Sequence, residues 1–294
     1  QGTHFFFMRG IHTIYSTNGR YKKFYYFELL QLMLSSLTWR NYNGDINLYC
    51  DDSFKSVIDE LDISWFWDSI DYTSLKQIPE DINQDIFWTY PKMFIHSLQK
   101  DPFCSIDADL YLTKSIQEHK EDIVFSHYEI DLHENTYPNF YELELFRKVF
   151  NYQSIKSPAI NTCLVQFNRL DVLEPLMEIT NKFVTKDYTK FFDYPSHSWT
   201  IYCEQKVLGQ LVDNLGYTKK SVMDVYYDCF DWEKNIRDFI PPRYGIDHIW
   251  FEKEEFYNND PQRLMKTFRL LKEIEINFPE YLDQAKSLMR YCVE

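Results

Sequence analysis

The sequence is short of glycine, proline and cysteine. Seven glycines and eleven prolines in 294 residues are too few for a collagen-like, linker-rich or low-complexity chain. No segment recurs at a fixed interval, which argues against a solenoid. Six cysteines, at 50, 104, 163, 203, 229 and 292, include no C-x-x-C spacing, so neither a zinc knuckle nor a redox dithiol is expected. Several sit in apolar runs (Tyr49-Cys50, Phe103-Cys104, Thr162-Cys163-Leu164), where a thiol behaves as a small core residue. That usage predicts a reducing, cytoplasmic setting. No apolar run approaches the ~20 residues of a membrane span, so no transmembrane segment is expected. Basic residues are scarce as well: 31 Lys and Arg face 45 Asp and Glu, a formal net charge of -14. A nucleic-acid polymer is therefore not an expected partner, because such binders carry a basic face. An acidic chain can still take a nucleoside diphosphate when a divalent cation bridges the two.

What the chain does have is apolar and aromatic material for a large core: 45% of its residues are hydrophobic and 18% aromatic, far from a disordered composition. Gln1-Gly2 resembles a cleaved-tag remnant and Met8 a native start, so residues 1–7 are set aside. Gly10 to Ser16 reads as a first strand, Phe24 to Trp39 as a buried helix, Ile46 to Cys50 as a second strand, and the stretch through Val57, Ile58 and Leu61 as a second helix. This β-α-β-α run predicts an α/β fold with a mainly parallel sheet. Pro91 opens a further helix to about Gln99. Strands follow at Phe103–Ile106, Ile123–Ser126 and Ala159–Phe167, and helices at Leu170–Phe183 and Trp199–Leu215. Two amphipathic helices close the chain, carried by Leu264, Phe268 and Leu271, then Leu282, Ala285 and Met289. The organisation expected is one α/β domain over 8–255 with a helical C-terminal extension over 256–294.

Asp107 and Asp109 form the one Asp-x-Asp triplet of the sequence. They follow four small or apolar residues, which places them at the carboxyl end of a strand, where open α/β sheets bind ligands. The period of a strand would turn both carboxylates to one side. Two such groups can hold Mg²⁺ or Mn²⁺ and leave positions for phosphate oxygens. The bland alternative is a solvated acidic turn.

The segment Phe103-Cys-Ser-Ile-Asp-Ala-Asp-Leu-Tyr-Leu112, behind a Pro91-Lys92-Met93 helix, resembles the central segment of GT-A glycosyltransferases. The likeness is to the glycogenin-like and lipopolysaccharide-galactosyltransferase-like enzymes, and more closely to an uncharacterised bacterial group, and it spans about residues 8 to 255. The resemblance implies a GT-A (Rossmann-like) fold with a mixed, mainly parallel sheet. It implies a nucleotide-diphospho-sugar donor of the UDP type and a glycan, lipid-linked or small-molecule acceptor, as in polysaccharide biosynthesis. Asp107 and Asp109, with Ala108 between them, would hold cation and diphosphate. Asn161 and Thr162, in Ala159-Ile-Asn-Thr-Cys-Leu-Val-Gln-Phe-Asn168, would line the sugar pocket. Cys203-Glu204-Gln205 resembles an acidic-Gln dipeptide on the acceptor side. His248-Ile-Trp-Phe-Glu-Lys253 resembles a late motif in which His completes the metal shell and Lys reaches the diphosphate. The common motif has glycines between those two residues, where this chain has Trp250 and Phe251.

Each candidate has a plainer alternative. Glu204 either orients or deprotonates an acceptor hydroxyl, or caps its helix or pairs with a basic group. Asn161 either bonds a sugar hydroxyl or satisfies backbone groups. Ser16, Thr17 and Asn18 stand where a nucleobase would lie, or form a turn. Lys92, in the first turn of its helix, is a cofactor-binding candidate only if that helix packs near the carboxyl end of the sheet. Lys253 contacts phosphate or lies on a solvated face. His127, Glu129, Asp131 and His133 form a polar patch read as a loop. Trp65, Trp67, Trp88 and Trp199 are expected mainly in the core. Two other classes compete. A haloacid-dehalogenase-like phosphohydrolase also carries Asp-x-Asp after a strand. However, Tyr111 stands where Thr or Val is usual there, and the motif follows two βα units instead of opening the chain. A catalytically silent GT-A-like binding protein is the third class.

Overall fold

The computed structural model describes residues 8–16, 24–84, 86–116, 119–130, 158–187, 200–223, 226–228, 245–249 and 253–292. Its elements, in chain order, begin with strand β1 (Gly10–Ile14), helix α1 (Tyr26–Tyr42), β2 (Ile46–Cys50), α2 (Asp52–Leu61), β3 (Ser69–Asp71) and α3 (Tyr90–Leu98). Next come β4 (Phe103–Ile106), β5 (Leu110–Leu112), β6 (Ile123–Ile130), β7 (Ala159–Phe167) and α4 (Leu173–Lys182). The last are α5 (Leu208–Asn214), β8 (Lys219–Ser221), β9 (Tyr226–Asp228), β10 (Ile246–His248), α6 (Lys253–Asn258), α7 (Asp260–Asn277) and α8 (Leu282–Leu288). The expected α/β class, with mixed strands, flanking helices and helices at the C-terminal end, is what the chain adopts. It divides into two compact units, the first of residues 1–72, 107–117 and 240–294, the second of 73–106 and 118–239.

In the first unit β1 pairs parallel with β2, and β2 with β3. Helix α1 is buried through most of its length, from Tyr26 to Trp39, as apolar residues on most of its sides require. Gly10 is needed where α1 crosses β1, because a Cβ there would overlap the Trp39 indole. The Asp51 carboxylate ends β2 and caps α2 through the Phe54 N–H at 2.9 Å, the usual satisfaction of an orphan helix donor. Two short strands, β5 and β10, pair antiparallel with His248 opposite Leu110. Gly245 precedes β10 at φ 84°, a conformation that favours glycine.

In the second unit β7 lies between β4 and β6, antiparallel to both, and β6 pairs parallel with β8 and β9. Every residue of β7 is buried. Sequence reading ended β6 at Ser126 and put His127 and Glu129 in a loop. Instead the strand runs on through both, and both are buried. The misreading has a physical cause: buried polar residues that find partners inside a sheet erase the apolar alternation that marks a strand. The helix expected from Trp199 to Leu215 is a π-helical turn at Tyr202–Val207 that runs into α5.

Among the described residues no helix is long and apolar enough to cross a membrane. Cys50, Cys104, Cys163 and Cys203 are buried free thiols. Burial pushes those of Cys50 and Cys203 up to about 12. Cys229 lies outside the described residues.

Candidate metal centre and its surroundings

The chain passes from β4 straight into Asp107. Leu110 N donates to Asp107 O at 3.1 Å, so residues 107 to 110 form a turn that leads into β5. This corrects the sequence argument for the pair. A tight turn, and not the pleat of a strand, gathers the two carboxylates. Asp107, Ala108 and Asp109 are all partly exposed. His248 arrives on β10, whose ladder with β5 sets it one residue from Asp109 across the strands. One ligand atom each of Asp107, Asp109 and His248 lie within 4.8 Å of one another. A cation with bonds of about 2.1 Å sets opposite ligand atoms about 4.2 Å apart. Two carboxylates and an imidazole at that separation therefore fit Mg²⁺ or Mn²⁺, the imidazole suiting the second better.

Asp109 is engaged through both carboxylate oxygens. His248 Nε2 lies 3.5 Å from its Oδ1, and Lys253 Nζ makes a close ion pair with its Oδ2. Burial opposes ionisation of this carboxyl. The Lys253 ammonium and His248 outweigh that effect and hold it well below the usual carboxylate range. Lys253, the first residue of α6, is thus at the Asp-x-Asp turn and not on a solvated face.

Two supports of this centre escaped the sequence reading. Gln31 of α1, fully buried, donates through Nε2 to the Asp109 carbonyl at 2.9 Å. It also lies 3.5 Å from the carbonyl of Asp247, the neighbour of His248. The Asp247 carboxylate, buried, accepts from Tyr111 Oη at 3.0 Å, from Lys266 Nζ at 3.1 Å and from Arg269. Helix α7 therefore grips β10 at the residue next to His248. Gln31, a polar residue inside the apolar stretch Leu29 to Leu34, was the signal available for the first support. Lys266 in a charged helix offered none.

The first-strand candidates are divided. Ser16 N donates to Asp51 Oδ2 at 2.9 Å, which ties the exits of β1 and β2 together. Thr17 and Asn18 lie outside the described residues, as do Asp131, His133, Trp199, Trp250 and Phe251.

The remaining candidates belong to the second unit. Lys92 Nζ, on α3, sits 2.7 Å from Glu204 Oε1 and donates to the Thr162 carbonyl at 2.8 Å. Thr162 Oγ1 donates to the same Glu204 oxygen at 2.7 Å. The three expected separately as sugar-pocket, acceptor-side and cofactor-binding residues thus form one hydrogen-bonded unit. Glu204 stands in the π-helical turn, a distortion often found at functional positions. Asn161 is engaged in structure. Its Oδ1 accepts from Ser126 Oγ and from Cys163 N, both at 2.9 Å, and its Nδ2 donates to Glu129 at 2.5 Å. The β6–β7 register shifts between Phe125 and His127. Asn161 thus satisfies a backbone donor beside the irregularity, the plainer of its two readings.

Among the solved structures similar to this chain are three glycosyltransferases of low identity. Mouse xyloside xylosyltransferase 1, in its apo form, has a TM-score of 0.41 and 9% identity, covering 83% of this chain and 96% of that one. Galactosyltransferase LgtC, in complex with donor and acceptor sugar analogs, has 0.40 and 10%, covering 82% and 86%. The apo-form glycosyltransferase GlyE of Streptococcus pneumoniae TIGR4 has 0.37 and 12%, covering 73% of this chain and 45% of that one. No curated protein matches the sequence. A family profile matches residues 5–284, and on that match the chain belongs to DUF6734, a family of unknown function.

Proposed function

We propose that this protein is a metal-dependent glycosyltransferase. It would move a sugar from a nucleotide-diphospho-sugar to a glycan, lipid-linked or small-molecule acceptor. The observation that carries the reading is the convergence of Asp107, Asp109 and His248 within 4.8 Å, with a lysine on Asp109. Departure of a nucleoside diphosphate develops negative charge on its phosphates, and a divalent cation bound there supplies Lewis-acid stabilisation of that charge.

In this reading Asp107, Asp109 and His248 hold the cation and Lys253 meets the diphosphate. Gln31 and Asp247 keep the two ligand-bearing segments in register. In the second unit Glu204, held by Lys92 and Thr162, is the carboxylate proposed to orient an acceptor hydroxyl. Asn161 keeps Glu129 and the β7 backbone in place.

A thermal-shift screen of nucleotide sugars with and without Mn²⁺ tests the reading, since a ligand of the folded state raises its melting temperature by mass action. The expected result is a shift with one nucleotide family that needs Mn²⁺ and vanishes in Asp109→Asn. A shift that survives Asp109→Asn, or that ignores the metal, contradicts it.

A further inference from the structure

Both oxygens of Asp109 are engaged: Oδ1 faces His248 and Oδ2 holds Lys253. A cation shared by Asp107, Asp109 and His248 takes His248 as a ligand, so the neighbour that competes with it for Asp109 is Lys253. His248 is fixed by the ladder of β10 with β5 and is buried. Lys253 is the movable one. Its side chain is one-third exposed, and a lysine is a compact charge on a flexible four-carbon stem. Lys266 makes a useful contrast, because its ammonium is held against Asp247 with only 2% of its side chain exposed.

Charge decides what can replace it. Two carboxylates and one ammonium leave the centre with a single negative charge. A divalent cation added to that set meets the ammonium at close range, and like charges disfavour the pair. A diphosphate reverses the balance, since it attracts cation and ammonium together. A partly exposed ion pair is weak enough to be exchanged in this way.

We propose that Lys253 is a placeholder for the divalent cation: without a diphosphate its ammonium occupies Asp109, and the cation enters with the diphosphate as the ammonium passes from carboxylate to phosphate. This rests on the reading of Asp107, Asp109 and His248 as a metal centre. It makes cation and diphosphate bind with positive coupling, each strengthening the other by the same factor. An empty donor site would then stay closed to free metal.

The test is Mn²⁺ binding followed by loss of the free-ion spin-resonance signal. It uses the wild type, Lys253→Met, Lys253→Arg and Asp109→Asn, each first shown to melt cooperatively. With Mn²⁺ alone, Lys253→Met binds up to about fivefold tighter than wild type, the scale of one released ion pair. Lys253→Arg keeps the charge and stays as weak as wild type. Addition of UDP tightens Mn²⁺ binding in wild type and does so less in Lys253→Met. The placeholder role is overturned if Lys253→Met binds Mn²⁺ alone no better than wild type while Asp109→Asn still abolishes binding. If Asp109→Asn binds Mn²⁺ as wild type does in every arm, the metal centre itself is wrong, and the placeholder falls with it.

Discussion

Lys92 and Glu204, each a separate candidate in the sequence, form an ion pair in the structure. Their ion pair is nearly buried, with side chains 12% and 6% exposed. Such a pair is a poor source of net stability, but removing one partner strands the other charge. Lys92→Met is therefore expected to cost about 3–5 kcal/mol, measured by urea unfolding, and Lys92→Met with Glu204→Gln to recover part of it. Equal losses in single and double variants would contradict the pairing. Gln31→Leu should cost about 1–3 kcal/mol, because the Asp109 carbonyl loses a buried donor. It should also weaken Mn²⁺ binding, which a purely structural loss would leave intact. The aspartates were legible in the sequence because a short apolar strand delivers them. Gln31 and Asp247 were not. What they do depends on carbonyls and cations brought up from distant segments, and no local spacing records that.

Elements were read best where the chain punctuates them. β2, β4 and β7 have the ends expected, since Asn43-Gly44, Asp101-Pro102 and Pro158 fix at least one side of each. Polar groups blurred β6. The π-helical turn at Tyr202–Val207 left no mark, because one added residue per turn hardly changes an apolar pattern. The contact between β1 and α1 is the tightest packing test available. Gly10→Ala places a methyl group on the Trp39 indole and should cost about 1–3 kcal/mol, the usual penalty of overpacking. A variant as stable as wild type in thermal melts would show that α1 can retreat from the sheet. The charged C-terminal helix α7 was expected to bury Leu264, Phe268 and Leu271; instead Leu264 and Phe268 are exposed, and Leu270 and Ile274 face inward. Its buried Lys266 and its Arg269, both on Asp247, give that helix a second task, holding the strand that carries His248.

For the molecule as a whole, acid should be the weakest direction. His12 on β1 is buried. It takes a hydrogen bond from Trp67 Nε1 on Nδ1 at 3.0 Å and has Nε2 2.9 Å from Ser35 Oγ. Burial, partly offset by Asp109, lowers it to about 3. His96 on α3 is lowered well below its ordinary value by burial and by Lys92. For each, the unfolded chain takes up a proton near pH 6.5 that the folded chain refuses. Stability is then fully present above about 6.5 and falls by about 1.4 kcal/mol per pH unit per histidine below it. For His12 the fall continues to about pH 3. Asp109 acts in the same direction. Its depressed value gives stability that is present above the ordinary carboxylate range and lost as pH falls through the folded value. Melting temperatures should drop markedly from pH 7.5 to pH 5, and His12→Gln should flatten that slope. A flat profile in the wild type would show that these rings are protonated in the fold.

The most direct test of the metal centre is a crystal structure of the protein soaked with Mn²⁺ and UDP, with anomalous scattering recorded at the manganese edge. The account expects one strong peak bonded to Asp107, Asp109 and His248, with phosphate oxygens on its open side and Lys253 moved from Asp109 to the diphosphate. A clean map with UDP bound but no anomalous peak at those three side chains would contradict it.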